Sequence, residues 1–533
     1  MFQKLKNIIA TLNLETNKIW NQLTIKNEIL RKAVKVIIFL ISVSWFYSYV
    51  GVFKYIHNRP SSIHLSAQSQ RASIALNYYK TDMNFFKPRI QRYIKGEGIT
   101  GVEFPIIYYG GAIMYKLFGF DEIYLRIISL MLVTLGLFFF YLLVDQYIRN
   151  NILSVMLAIA VSLSPVLLFY TPNFMPDAPS LGFQLIGWYF FLTYLKTNKT
   201  RHLNLFVFAV VLTVLIKATS IIIFIIVICM LILDKLRFFK FENKPFIFTE
   251  HLKVFTRIVM GIVVAASWYY YASWLNTHYE NESFALKPIM VDNWDAAKEI
   301  YITIKNLWVK HYYSHESYIL IGISFVGIIV LFKYANKILL TITLLNIIGN
   351  MFYVYFFLNQ FRWHDYYIIA LLPCVFFSVL TFSDLIVRFS DKYFKITQVI
   401  FVIILFFNMK EALVFCKKNY TERNTRAIYY WTGDYRAYED LEPKLRALGI
   451  KRTDKFLSAF DNTYCGSLYL IDQIGVNIGD ESSAEEIDAY LKNDVIKYLI
   501  VNDSARFNKI YPNNLANHII ATHRGLIIYK LRN

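Results

Sequence analysis

Apolar residues fall in long runs separated by short polar or basic stretches. A helix needs about 20 apolar residues to cross a bilayer. Runs of that character occupy 34–54, 122–146, 152–170, 178–196, 203–216, 218–235, 254–275, 317–333, 337–358, 365–386 and 396–411, which predicts eleven membrane helices. The stretch 104–119 (FPIIYYGGAIMYKLFG) is also apolar, but it is short, Gly-interrupted and carries Lys116. It reads as a helix lying in the membrane surface. Past 411 the period changes. KFLSAF (455–460) and IKYLIVN (496–502) have the form of strands, and Ser483-Ala-Glu-Glu486 that of a capping box opening a helix through Leu491. IIATHRGLIIYKL (519–531) reads as a hairpin around Arg524-Gly525. The expected architecture is an all-α polytopic membrane domain over 34–411, with surface helices in an outer loop 55–121. A segment 1–33 precedes it and a small α/β domain, 412–533, follows.

Composition narrows the class. Hydrophobic residues make up 56% of the 533 and charged residues 17%, against roughly 45–50% and about 25% in soluble domains. An ordinary soluble enzyme and a disordered chain are thereby excluded. The net charge of +19 is explained by topology. With 104–119 in the surface, Lys4, Lys6, Lys18, Lys26, Arg149, Lys199, Arg201, Arg237, Lys240, Lys244, Arg388 and Lys395 all fall on the N-terminal side of the membrane. The positive-inside rule then makes that side cytoplasmic. The loops 55–121, 171–177, 276–316 and 359–364 face outward with the tail, whose charges nearly balance; nucleic acid is not an implied partner. Cys416 and Cys465 leave room for one disulfide. The first apolar run reads as an uncleaved anchor.

Ionisable groups at membrane depth are expensive and tend to mark function. Asp177, in FMPDAPS, is placed either to cap the helix that follows or to meet substrate. Glu103, in GVEFPIIYY, can cap the surface helix or take a proton from an attacking hydroxyl. Lys217, in VLIKATS, can snorkel to the surface or offer a point charge to a lipid phosphate. The loop 55–103 carries His64, Gln68, Arg71, Asp82, Arg89 and Arg92, and residues 66–79 have the spacing of a second surface helix. Arg89 and Arg92 can bind a phosphate or stand as solvated charges. His364 and Asp365, in RWHD, lie at a span mouth and are too few for a metal site. His311 and His315 have ligand spacing without further ligands. No HExxH, CxxC pair, GxSxG or phosphate loop occurs, so no metal or other cofactor is expected.

The order of these motifs resembles a known family. A basic N-terminus and one span lead to a long outer loop, then EFPIIYYGGAIMYKLFGFDEIYLRII, MPDAPSLGF and HDYYIIALLP. Over about 30–390 the chain is similar to the GT-C glycosyltransferases of the protein-O-mannosyltransferase and aminoarabinose-transferase type. The resemblance implies a sugar donor carried on polyprenyl phosphate and an active site on the outer face. The richness in Ile, Lys, Asn, Phe and Tyr suggests an A/T-rich genome and points to a bacterial inner membrane. The resemblance also implies inverting transfer to a hydroxyl of a lipid, glycan or protein acceptor. One position departs. Where the family carries an acidic residue early in the first loop as base, this chain has HLSAQSQRA, with Gln68 near that place. Glutamine cannot act as a base. Glu103, Asp177 or Asp82 then takes over, or activity is lost; Glu103 as base with Asp177 positioning the acceptor is favoured. A lipid-linked-sugar transporter and a non-catalytic glycolipid-binding protein are the competing readings.

Overall fold

The computed structural model describes residues 28–94, 96–238, 246–281, 290–392, 396–425, 435–511 and 515–532. Segment 1–27 and the basic residues Lys240, Lys244 and Lys395 lie outside them. Seven helical stretches are long and apolar enough to cross a membrane: Lys32–Val50, Ile123–Ile148, Ala218–Lys235, His251–His278, Lys337–Trp363, Asp365–Ser390 and Thr397–Thr425. An eighth results if Trp294–Tyr312 and His315–Val330, which meet at 99°, form one broken span. The three remaining expected spans are helical but shorter or less apolar. Run 152–170 is not one helix: it splits into Asn151–Ser162 and Pro165–Tyr170. The cause is local, because Ser164 caps the second piece and Pro165 opens it.

The elements that build the site are α1 (Leu65–Lys80), α2 (Ile106–Phe118), α3 (Ile123–Ile148), α4 (Pro165–Tyr170), α5 (Asp177–Thr197), α6 (Thr200–Ile216), α7 (His251–His278), α8 (Lys337–Trp363) and α9 (Ile396–Thr425). Helix α2, at 13 residues, spans only about 20 Å. It buries Tyr108, Ala112 and Tyr115 and exposes Ile113, Leu117 and Phe118, the two-faced pattern of a surface helix. Helices α3 and α5 touch backbone to backbone. A Cβ on Gly136 would stand 2.5 Å from Gly182 Cα, and one on Gly182 the same distance from Leu132 O. Small residues permit such a crossing, and it fixes where α5 begins.

Helix α9 outlasts its apolar run and continues to Thr425. Ala412, Cys416, Tyr420 and Arg423 are all buried at near-helical spacing. Residues 412–425 therefore extend the membrane helix, and the small domain begins later than 412. That domain is a five-stranded sheet in the order β2-β1-β3-β5-β4. Strands β1 (Lys455–Ala459), β3 (Ile496–Val501), β4 (Ile519–His523) and β5 (Leu526–Lys530) match the sequence expectation. Strand β2 (Ile474–Ile478) was not anticipated: every residue of IGVNI is buried, so it lacks the alternation of a half-exposed strand. Strand β1 pairs parallel with β2 and β3, and β5 runs antiparallel to β3 and β4. The outer loop joins this sheet, since Gly475 N donates to Gln91 O and Tyr93 N donates to Gly475 O. All four cysteines are free. Cys416 and Cys465 are not bonded, one lying in α9 and the other beside Ser69.

Candidate active site

Gly101 sets the position of Glu103. A Cβ there would come within 1.8 Å of Ala272 O, so only glycine lets loop 101–105 lie on the backbone of α7. Asn276 accepts from Gly101 N, Trp268 Nε1 donates to Val102 O at 3.0 Å, and Phe104 N donates to Leu215 O at 2.9 Å. The loop is thus stitched between α7 and the end of α6. Glu103 Oε1 accepts from Arg71 Nε of α1 at 3.0 Å and from the Tyr108 hydroxyl of α2 at 2.6 Å. Burial opposes its ionisation. The Arg71 charge and the Tyr108 bond outweigh that and hold the carboxyl below its ordinary range. Two donors on one oxygen suit Glu103 to anchor a cation.

Asp177 opens α5, and its Oδ1 lies 2.7 Å from Lys217 Nζ at the end of α6. The carboxylate is buried and no described residue bonds Oδ2. Ser180, one turn along α5, donates to Thr213 O and meets Ser220, which locks the two helix ends together. Helix α6 stops at Lys217, whose backbone is extended (φ −146°, ψ 103°). Its ammonium lies 5.0 Å from the Tyr367 ring centroid and 5.6 Å from that of Tyr366, a geometry that favours a cation. The Lys217 charge acts on Glu103 as well as on Asp177, and Arg71 on Lys217, so the expected pair, Glu103 and Asp177, sits in one centre with Lys217. Each carboxylate holds a basic side chain.

Asp365 is fully buried with both oxygens engaged. Oδ1 meets His64 Nε2 at 3.1 Å and the Tyr170 hydroxyl of α4 at 2.9 Å, and Oδ2 accepts from Arg423 of α9 at 2.7 Å. Full burial, with three partners around the carboxylate, sets Asp365 behind His64 rather than open to a substrate. The His64 ring stands 5.1 Å from Tyr366 and 5.4 Å from His364. Burial, and then the neighbouring His64, hold the His364 imidazole neutral with a pKa lowered to about 3. Gln68 is fully buried, and its Nε2 donates to Ser61 O at 2.9 Å and Ile63 O at 2.7 Å. It shapes the turn that carries His64.

Arg89 and Arg92 are not brought to this centre. Arg89 is buried against Asp82 and Glu97, which also occupies Asp82. Arg92 stacks on Tyr464 of the small domain, 4.2 Å from its ring centroid. His311 bonds Asn419. The residues missed as site members are Arg71, Tyr108, Tyr170, Tyr366, Tyr367 and Arg423. The periodicity of 66–79 carried a signal for Arg71. Arg423 lies past the last apolar run, where the sequence reads as polar tail.

Residues 103–270 match the sequence model of a family described as dolichyl-phosphate-mannose-protein mannosyltransferase. That stretch holds Glu103, Asp177 and Lys217. No curated protein matches the chain significantly. Among solved structures the chain is similar to ArnT from Cupriavidus metallidurans in the apo state, with a TM-score of 0.60 at 12% identity, covering 92% of this chain and 98% of that one. It is also similar to the same protein bound to undecaprenyl phosphate, with a TM-score of 0.57 at 11% identity and coverage of 92% and 98%. At these identities the likeness is one of fold.

Proposed function

We propose that this chain, a multi-pass membrane protein of the GT-C glycosyltransferase superfamily, transfers a sugar from a polyprenyl-phosphate-linked donor to an acceptor hydroxyl, with inversion. The observation that carries the reading is the convergence of Asp177–Lys217 and Glu103–Arg71 on one buried polar centre where α5 begins and α6 ends. The undecaprenyl phosphate bound by the structural neighbour supports the same donor class here.

The donor's chain lies between spans and its phosphate meets Lys217 and Arg71. As the bond from the anomeric carbon to the phosphate oxygen breaks, charge grows on the phosphate, and preorganised cations stabilise it. Asp177 and Glu103 keep those cations aimed when the site is empty. Their hold on Lys217 and Arg71 means that the phosphate must compete for the same ammonium and guanidinium. The neutral His364 adds no charge beside them. The lipid, glycan or protein acceptor approaches from the small domain's side, through a cavity of about 680 Å³ bounded by His64 and His364 on one wall and Asp480 and Glu486 on the other. The concentration of basic loops at the opposite helix ends supports an outer-face site in a bacterial inner membrane.

Native mass spectrometry of the gently extracted protein tests the reading. A retained polyprenyl phosphate, with or without one sugar, is expected, and Lys217→Gln is expected to lose it. Retention of ordinary phospholipids alone, after lipid-linked sugars are supplied, would refute it.

A further inference from the structure

The chain lacks an acid at the loop position where the resemblance puts the base, yet the same turn presents a different proton acceptor. His64 occupies the left-handed region (φ 58°, ψ 34°) at the head of α1, a conformation that residues with a Cβ avoid and that collects at functional sites. Gln68 holds it there by gripping the carbonyls of Ser61 and Ile63. Asp365, itself neutralised by Arg423, is an acceptor toward His64 Nε2. A carboxylate has no proton to give, so a neutral His64 carries its proton on Nε2. Its Nδ1 is left with a lone pair, and no described residue bonds that atom.

His64 also lines the cavity between the membrane domain and the small domain, with Trp363 and His364 beside it and Asp480, Glu481 and Glu486 across from it. Among the described residues no lysine or arginine lines that space. The far wall is built rather than loose, because Asn462 and Asp480 exchange two hydrogen bonds. An imidazole oriented by a buried carboxylate and open to a cavity is the arrangement of a general base. Tyr366 separates it from the cation centre, its ring 5.1 Å from His64 and 5.6 Å from the Lys217 ammonium.

We infer that His64, oriented by Asp365, is the catalytic base, and that the cavity receives a hydroxyl-rich acceptor group bearing no phosphate or carboxylate. This rests on the transferase reading above. As the acceptor oxygen bonds to the anomeric carbon, the hydroxyl proton passes to His64 Nδ1. The sugar–phosphate bond breaks with its electron pair going to polyprenyl phosphate. Asp365 stabilises the imidazolium until the proton leaves to water. Glu103 and Asp177 hold cations and take no proton in this scheme.

The test uses the full-length protein in lipid nanodiscs with polyprenyl-phosphate-linked mannose as donor and envelope glycolipids as acceptors, reading glycosylated product and released polyprenyl phosphate. His64→Ala is expected to lower kcat by about 100-fold or more while donor retention is unchanged. Added imidazole is expected to restore part of the rate. Asp365→Asn, a change in a positioning residue, is expected to lower kcat while KM and donor retention are unchanged. Imidazole nitrogen NMR, assigned by the signal lost in His64→Gln, is expected to show the Nε2-protonated form in the neutral protein. A wild-type rate in His64→Ala, or a proton on Nδ1, overturns the inference and leaves the transferase reading standing. A wild type that transfers nothing and retains no polyprenyl phosphate overturns both.

Discussion

Replacing Gln68 by Glu keeps the shape of the side chain and restores an acid to the loop where the resemblance places one. The structure predicts harm. Gln68 is fully buried, and its amide nitrogen donates to Ser61 O at 2.9 Å and Ile63 O at 2.7 Å. An ionised Glu would set an oxygen against both carbonyls, so the variant must bind a proton to fold. Protonating a carboxyl of ordinary pKa at pH 7 costs about 3.7 kcal/mol. The acid then replaces only one of the two donors, and the lost bond adds about 1 kcal/mol. The expected destabilisation is about 5 kcal/mol at pH 7. Its pH dependence has a definite sign. The native variant binds a proton that the unfolded chain has lost, so stability falls as pH rises above about 4.3, the ordinary Glu value. Thermal unfolding of both proteins in detergent, followed by tryptophan fluorescence from pH 4.5 to 8, measures it. A variant as stable as wild type at pH 8, or one with faster transfer, would refute the structural role of Gln68.

Three further outcomes follow from the same geometry. Lys217→Ala strands the buried Asp177 carboxylate and is expected to cost about 3–5 kcal/mol; Asp177→Asn with Lys217→Gln should recover most of that in thermal unfolding yet still fail to retain polyprenyl phosphate. Glu103→Gln removes the charge that holds Arg71 and is expected to abolish product formation at normal protein level, and full activity would remove Glu103 from the site. Because Glu103 is held below its ordinary range, the stability it supplies is present above about pH 4.5 and lost as pH falls through its native value, so the glutamine variant should be less acid-sensitive. His364 has a pKa of about 3 against 6.5 for the free side chain. Between those values the unfolded chain takes a proton that the native state refuses, so stability drops as pH falls from about 6.5. His364→Gln should flatten that part of the melting-temperature profile, and an unchanged slope would assign it elsewhere.

Much of the fold was legible in one dimension. A run of apolar residues long enough to cross a bilayer announces itself whatever packs beside it. Two strands and the hairpin stood out through alternation and turn residues. Glu103, Asp177 and Lys217 were visible because ionisable groups are rare in apolar surroundings. Other features depended on contacts made only in three dimensions. Strand β2 is buried on both faces and so has no period to read, and the last turns of α9 are polar on one side and were taken for tail. Arg89 and Arg92 read equally as phosphate ligands or solvated charges, and only the fold sets Arg89 against Asp82 and Glu97 and Arg92 on Tyr464. Gln68 read as a missing acid, whereas in the fold it is a brace for a turn. His64, Asp365, Tyr170 and Arg423 are scattered over some 360 residues of chain, with no spacing to connect them. Their partnership exists because three helix ends and one strained turn meet in a single buried volume, where each charge requires another to be tolerated.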